Sequence, residues 1–130
     1  MSVAYWCVAV FMFFPMIFAG LAKTGKGFNN RSPRQYLESL SGWRQRANWA
    51  QENSIEAFAP FAAAVIIAHG AGVSQGTADA LALAFLFCRV LYGVCYIANL
   101  ATLRSLVWTG GMGIVVAFFV LAARVSGTGA

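Results

Sequence analysis

Two sets of polar side chains interrupt an otherwise apolar chain, and their spacing gathers each set on one face of a helix. In RANWAQENSIEAFAPF, Arg46, Asn53 and Glu56 are separated by seven and then three residues, which at 3.6 residues per turn places them along one stripe. Arg89, Tyr92, Tyr96 and Asn99 follow at steps of three, four and three, a second stripe on the next apolar segment, with Arg104 just beyond its end. Guanidinium groups, an amide, a carboxylate and phenol hydroxyls are the groups that hold a small polar ligand and balance its charge. Arg46, Asn53, Arg89 and Arg104 lie toward the same end of their segments, so together they predict a pocket with excess positive charge, suited to a small anionic ligand. A purely architectural reading competes, in which Arg89 and Glu56 form an ion pair that locks the helices together and the tyrosines hydrogen-bond around it.

The elements that must position these groups follow from composition. Of 130 residues, 60% are hydrophobic and 10% charged, too apolar for an ordinary soluble domain of this length. Residues 2–22 and 105–123 carry no Lys, Arg, Asp or Glu, and each is long enough to cross a hydrocarbon core of about 30 Å as a helix. Spans are expected at roughly 2–22, 46–73, 78–103 and 105–124, joined after the first by a basic loop, 23–45. This is an all-α membrane protein, a single domain built as a bundle of four transmembrane helices. An ionisable residue inside such a span, here Glu56 or Arg89, is by default a candidate functional group.

Orientation follows from the basic residues. Lys23, Lys26, Arg31, Arg34, Arg44 and Arg46 gather after the first span, whereas HGAGVSQGTADA between the second and third has no Lys or Arg. That asymmetry predicts a cytoplasmic basic loop and both termini on the opposite side, with Arg124 opposing it only slightly. Within the loop, Ser32 and Pro33 predict the start of a short interfacial helix and Gly42 its stop, with Tyr36, Leu37 and Trp43 as anchors. Pro15 and Pro60 predict kinks that neighbouring helices absorb, and Gly110, Gly111 and Gly113 predict close packing on the last span.

Several function classes fall away. The net charge of +5 sits beside apolar spans and suits a membrane surface, not nucleic acid. The chain has one His, at position 69, and no Cys-x-x-Cys pair, so no metal or redox motif is present. Cys88 and Cys95 would lie about 10 Å apart along one helix, too far to bond, and with Cys7 they read as small apolar fillers. No serine has a base at a recognisable spacing. The first span lacks the basic leading region of a secretory signal peptide.

RANWAQENSIEAFAPF followed by RVLYGVCYIANLATLRS resembles the membrane-associated proteins in eicosanoid and glutathione metabolism, the MAPEG family, and in particular its short bacterial members. The similarity covers nearly the whole chain: four spans, a basic first loop, Asn-x-x-Glu ahead of a proline, and Arg-x-x-Tyr-x-x-x-Tyr. The resemblance implies a homotrimer in a bacterial inner membrane, in contact with membrane lipids; a larger membrane complex belongs to the alternative of a non-catalytic scaffold. It also implies glutathione as co-substrate, bound between adjacent subunits near the cytoplasmic side. Asn53 and Glu56 would then hold the tripeptide's polar end, Arg89 would support it, Tyr92 and Tyr96 would line its path, and Arg104 would be the catalytic residue that stabilises the thiolate. One position departs from the pattern. Trp49 stands where glutathione-using relatives commonly have Arg, and Arg46, one turn nearer the helix start, is expected to reach the same carboxylate.

The activity so implied is that of a glutathione-dependent transferase or peroxidase acting on lipophilic electrophiles or lipid hydroperoxides. The alternative is a non-catalytic scaffold or accessory subunit whose polar stripes bind lipid or fix trimer packing. Arg104 has its own alternative as a positive-inside anchor on lipid phosphates.

Overall fold

A computed structural model describes residues 1–128 of the chain. Six helices appear in order: α1 (Val3–Phe11), α2 (Phe14–Ala22), α3 (Pro33–Glu38), α4 (Gly42–Ala71), α5 (Gln75–Ile97) and α6 (Ala101–Thr128). Four stretches are long and apolar enough to cross a membrane: Val3–Ala22, which joins α1 and α2, then α4, α5 and the segment Ala101–Gly127 of α6. The chain is therefore an integral, multi-pass membrane protein.

The helix boundaries correct the sequence reading in four places, each for a local reason. The first span is not one uninterrupted helix. Pro15 has no N–H to give to the carbonyl of Phe11, and the helix opens at Met12 and Phe13 before restarting at Phe14. Pro60, by contrast, sits inside an unbroken α4. Gly42 does not stop the short loop helix, which ends at Glu38. With φ of +66° it begins α4 instead, after the extended Ser41. Ser32 precedes Pro33 as expected but makes no side-chain cap.

The fourth correction moves two site candidates. Asn99 does not continue the stripe of the third span, because it takes a left-handed φ of +62°. The N–H of Leu100 donates to the carbonyl of Cys95 at 2.8 Å and that of Asn99 to Tyr96 at 3.1 Å, the paired bonds of a Schellman stop with asparagine in glycine's usual place. Arg104 thus belongs to the first turn of α6. Gly72 (φ +89°) ends α4 in the same way, with Val73 bonded to Ala68 and Gly72 to His69.

Helix α4 is the hub, packing on α2, α5 and α6, while α5 also packs on α6 and α1. At 30 residues it is about 45 Å long, more than the ~30 Å core requires, so one end projects into the interface. The centre is aromatic: Phe61 and Phe85 stack at 4.0 Å between ring centres, with Phe11 edge-on to both and Phe118 against Phe61. Leu37 is buried with Ala22 and Ala47, which fastens α3 to the bundle. At the other end, Asp79 at the start of α5 accepts a 2.8 Å hydrogen bond from the N–H of Ala4 and so satisfies a free donor of α1's first turn. His69, in the last turn of α4, is exposed, with its ring 5.2 Å from that of Tyr5. Of the three glycines expected to pack closely on the last span, only Gly111 meets neighbours, the Cβ of Cys88 and the ring of Phe85. Gly110 and Gly113 face outward.

One glycine fixes the approach of α2 to α5. The Phe18 ring occupies the space a Cβ on Gly93 would need. Gly93→Ala should destabilise the detergent-solubilised protein by ~1–3 kcal/mol through overpacking. Phe18→Leu should recover part of that loss in the double variant, as measured by thermal unfolding. Strictly additive losses would show that the two side chains do not meet.

Candidate functional site

Helix α4 presents Trp49, Glu52, Asn53 and Glu56 on one face, at spacings of three, one and three residues, and α5 presents Tyr92 and Tyr96 opposite. Between them lies an open recess of about 350 Å³. A second recess of about 230 Å³ shares Asn53 and Tyr92 with the first and continues to Arg104, Ser105, Trp108 and Thr109 of α6. Together they form one polar trough across three helices, of the size expected for a small-molecule site, ~300–1,000 Å³.

The trough's geometry is set from behind by Arg89, which is only 3% exposed. Its Nη2 donates to Asn53 Oδ1 at 2.8 Å and to Ser54 Oγ at 3.4 Å. Its guanidinium lies 4.2 Å from the centre of the Tyr92 ring and 5.6 Å from that of Phe11. Ser54 is itself fixed by donating to the carbonyl of Ala50 at 2.7 Å. With its oxygen taken by the guanidinium, the Asn53 amide turns its N–H₂ to other partners, and the trough gains a donor of fixed orientation. The ion pair anticipated between Arg89 and Glu56 does not form: the amide one turn away takes the guanidinium and leaves the Glu56 carboxylate exposed.

Arg104 lies with its guanidinium 4.4 Å from the centre of the Tyr96 ring, and the Tyr96 ring meets Tyr92 edge-on at 5.5 Å. A cation in the first turn of a helix opposes the macrodipole. Contact with the tyrosine face is the compensating interaction, of the order of 0.5–2 kcal/mol.

The structure thus brings Asn53, Glu56, Tyr92, Tyr96 and Arg104 to one trough and places Arg89 directly behind it. Arg46 does not line it. Its Nε donates to the carbonyl of Ile97 at 3.1 Å, at the end of α5. The expected excess of positive charge is accordingly absent from the first recess, whose ionisable walls are the carboxylates of Glu52 and Glu56 and the two tyrosines. Glu52 and Trp49 were missed as lining residues although the signal was available, since positions 49, 52, 53 and 56 repeat at i, i+3, i+4 and i+7. Glu52 is held loosely by Asn48 Nδ2 at 3.5 Å, and the Trp49 ring lies 6.2 Å from that of Tyr96. Trp108, Ser105 and Thr109 carried no comparable signal, because their approach depends on the turn at Asn99. Among the described residues, no group of three or more His, Cys, Asp or Glu side chains is gathered to hold a metal ion.

A family model described as the MAPEG family matches residues 2–124. No curated protein and no solved structure matched the chain.

The bonds of Arg89 generate a direct test. Asn53→Ala removes its nearest acceptor and should lower the unfolding free energy of the solubilised protein by ~1–3 kcal/mol, the penalty for a stranded buried donor. Glu56→Gln should change that stability little. Equal losses in the two variants would show that Arg89 is held by the carboxylate.

Proposed function

The chain belongs to the MAPEG family, and from that premise we propose that it is a glutathione-dependent membrane transferase or peroxidase acting on lipophilic electrophiles or lipid hydroperoxides. The observation that carries the reading is the trough, in which Asn53, Glu56, Tyr92 and Tyr96 meet the guanidinium of Arg104. The donor set fits the tripeptide. Glu56 and Glu52 suit its ammonium group, the Asn53 amide and the tyrosine hydroxyls suit its carbonyls and carboxylates, and Arg104 suits its sulfur as an anion. Arg89 acts as a positioning residue, holding Asn53 and Tyr92 without facing the ligand.

The trough is incomplete in a single chain. Glu52 and Glu56 are exposed on a membrane-spanning helix, and a carboxylate facing lipid costs about 2.5–3.5 kcal/mol at mid-span and less toward the interface. A homotrimer removes that cost by covering the trough with a neighbouring subunit. In the proposed arrangement the protein sits in a bacterial inner membrane with the basic loop in the cytoplasm and both termini outside it.

Glutathione supplies a thiol whose ordinary pKa, about 8.5, leaves only a few per cent as the nucleophilic thiolate at neutral pH. Bringing that value to about 6.5 needs roughly 2.7 kcal/mol of preference for the anion. One guanidinium in a partly dry site can contribute an energy of that order. With an aryl halide, the sulfur–carbon bond forms as the carbon–halogen bond breaks, halide departs and the thiol proton goes to solvent. With a hydroperoxide, two thiols are oxidised to one disulfide while the peroxide is reduced to an alcohol and water. The second substrate arrives from the bilayer.

A second reading rests on one specific observation. Trp49 replaces the usual arginine and Arg46 is engaged at Ile97, so the first recess has no cation for a glutathione carboxylate. A scaffold or accessory subunit of a larger membrane complex, binding lipid instead of glutathione, is the function that this feature favours.

Three variants separate the readings. The parent protein in detergent should bind glutathione saturably, with thiolate absorbance appearing near neutral pH. Arg104→Ala should still assemble and bind glutathione but lose that absorbance and the conjugation of an aryl halide, and Arg104→Lys should keep part of both, since lysine retains charge without the planar fork. Glu56→Gln should shrink the thermal stabilisation that glutathione adds. A parent that forms a stable oligomer yet binds no glutathione would replace the enzyme with the scaffold.

Topology has an independent check. A reporter fused after Ala130 should behave as extracytoplasmic, and cytoplasmic reporter activity on an intact chain would reverse the orientation.

A further inference from the structure

A second cavity lies on another face of the bundle and is chemically unlike the trough. It is a groove of about 270 Å³ between α2 and α5, running from Phe14 to Leu21 on one side and from Val90 to Ile97 on the other, with almost no polar surface. Each helix contributes at i, i+3, i+4 and i+7, so the two walls run side by side for about 10 Å. Gly93 supplies no Cβ, and the Phe18 ring fills the space beside it as the floor. Ile17, Leu21 and Val94, all exposed in the single chain, form the rims.

Charge collects at one end only. Ile97, the last groove residue on α5, accepts the Nε hydrogen bond of the half-buried Arg46. That bond fixes a guanidinium at the mouth while using one of its five N–H donors. Lys23 ends α2 two residues beyond Leu21, and Arg44 is tied to the adjacent Thr24 by a 3.2 Å bond from its Nε. The opposite end, at Phe14 and Val90, has no charged lining. An apolar channel about two-thirds as long as one leaflet is deep, with the Arg46 guanidinium held at its interface end, matches one molecular shape.

We propose that this groove is a specific site for an anionic phospholipid of the leaflet on the basic-loop side, with one acyl chain between α2 and α5 and its phosphate on Arg46. The site is separate from the trough, shares no lining residue with it, and stands whether or not the protein uses glutathione. It also gives Arg46 a task that the trough does not.

The test uses the full-length protein extracted in mild detergent from vesicles containing equal phosphatidylglycerol and phosphatidylcholine, with retained lipid counted by mass spectrometry. The parent should keep phosphatidylglycerol in preference, by about fivefold for each basic side chain engaged. Arg46→Gln should bring retention toward parity, and Arg46→Lys, which keeps the charge without the Nε donor, should preserve the preference. Val94→Trp, which fills the groove, should reduce retention of both lipids. Arg34→Gln, on the exposed face of α3, should match the parent.

Four results would overturn the proposal. They are equal retention of the two lipids by the parent, and a loss in Arg34→Gln as large as in Arg46→Gln, which would mean diffuse surface attraction. A Lys variant as impaired as the Gln variant would assign Arg46 to capping α5 alone. Unchanged lipid in Val94→Trp together with an altered subunit number would make the groove a contact between copies.

Discussion

A guanidinium buried among apolar helices without a carboxylate beside it is the constraint to which the rest of the bundle answers. Leaving the Arg89 charge unsatisfied at membrane depth would cost several kcal/mol, so its neighbours have to supply acceptors and polarisable faces. Asn53 and Ser54 on α4 supply the acceptors, and Tyr92 and Phe11 supply the faces. One side chain of α5 thereby sets the register of α4 and touches α1 as well. Because neutral partners hold the charge, no carboxylate is consumed inside the bundle. Glu52 and Glu56 remain at the surface of the trough, where a ligand or another subunit can reach them.

This arrangement divides the arginines by task more sharply than their spacing suggested. Arg46 and Arg89 share helices with the trough residues, yet neither enters the first recess, since one is tied to the end of α5 and the other lies behind Asn53. Arg104 alone opens onto the trough. A stripe on a helical wheel reports direction about the axis but not which acceptor a long side chain finds, and an arginine spans more than one turn. Shorter side chains leave less freedom, which is why Asn53, Glu56, Tyr92 and Tyr96 could be placed together from spacing.

The first and last spans were legible because charge-free runs of about 20 residues have few alternatives, and the basic loop, 23–45, was legible because its five cations cannot be buried there. Helix ends were harder to read. Whether Pro15 opens a helix or Pro60 is absorbed depends on packing that neither residue encodes. Gly42 serves equally well as a stop or a start, because a positive φ is compatible with both, and only the extended Ser41 before it decides. Asp79 carried no signal of its role, because its partner is the N–H of Ala4 across the bundle, 75 positions away in the chain.

The turn at Asn99 shows how much of a site can depend on one backbone angle. Arg104 follows Tyr96 by eight residues, so on a continuous helix the two would be separated by about 12 Å along the axis. The left-handed Asn99 instead reverses the chain within three residues, and α6 returns along α5 with the guanidinium 4.4 Å from the Tyr96 ring centre. Asparagine reaches this conformation more readily than other side chains that bear a Cβ, and glycine would reach it without the side chain. The second recess exists only because of that reversal, since Ser105, Trp108 and Thr109 would otherwise lie beyond the end of α5. The chemistry available to the trough is therefore set at a helix stop outside it: the same residues joined by a straight helix would leave the tyrosines and the two glutamates without a cation.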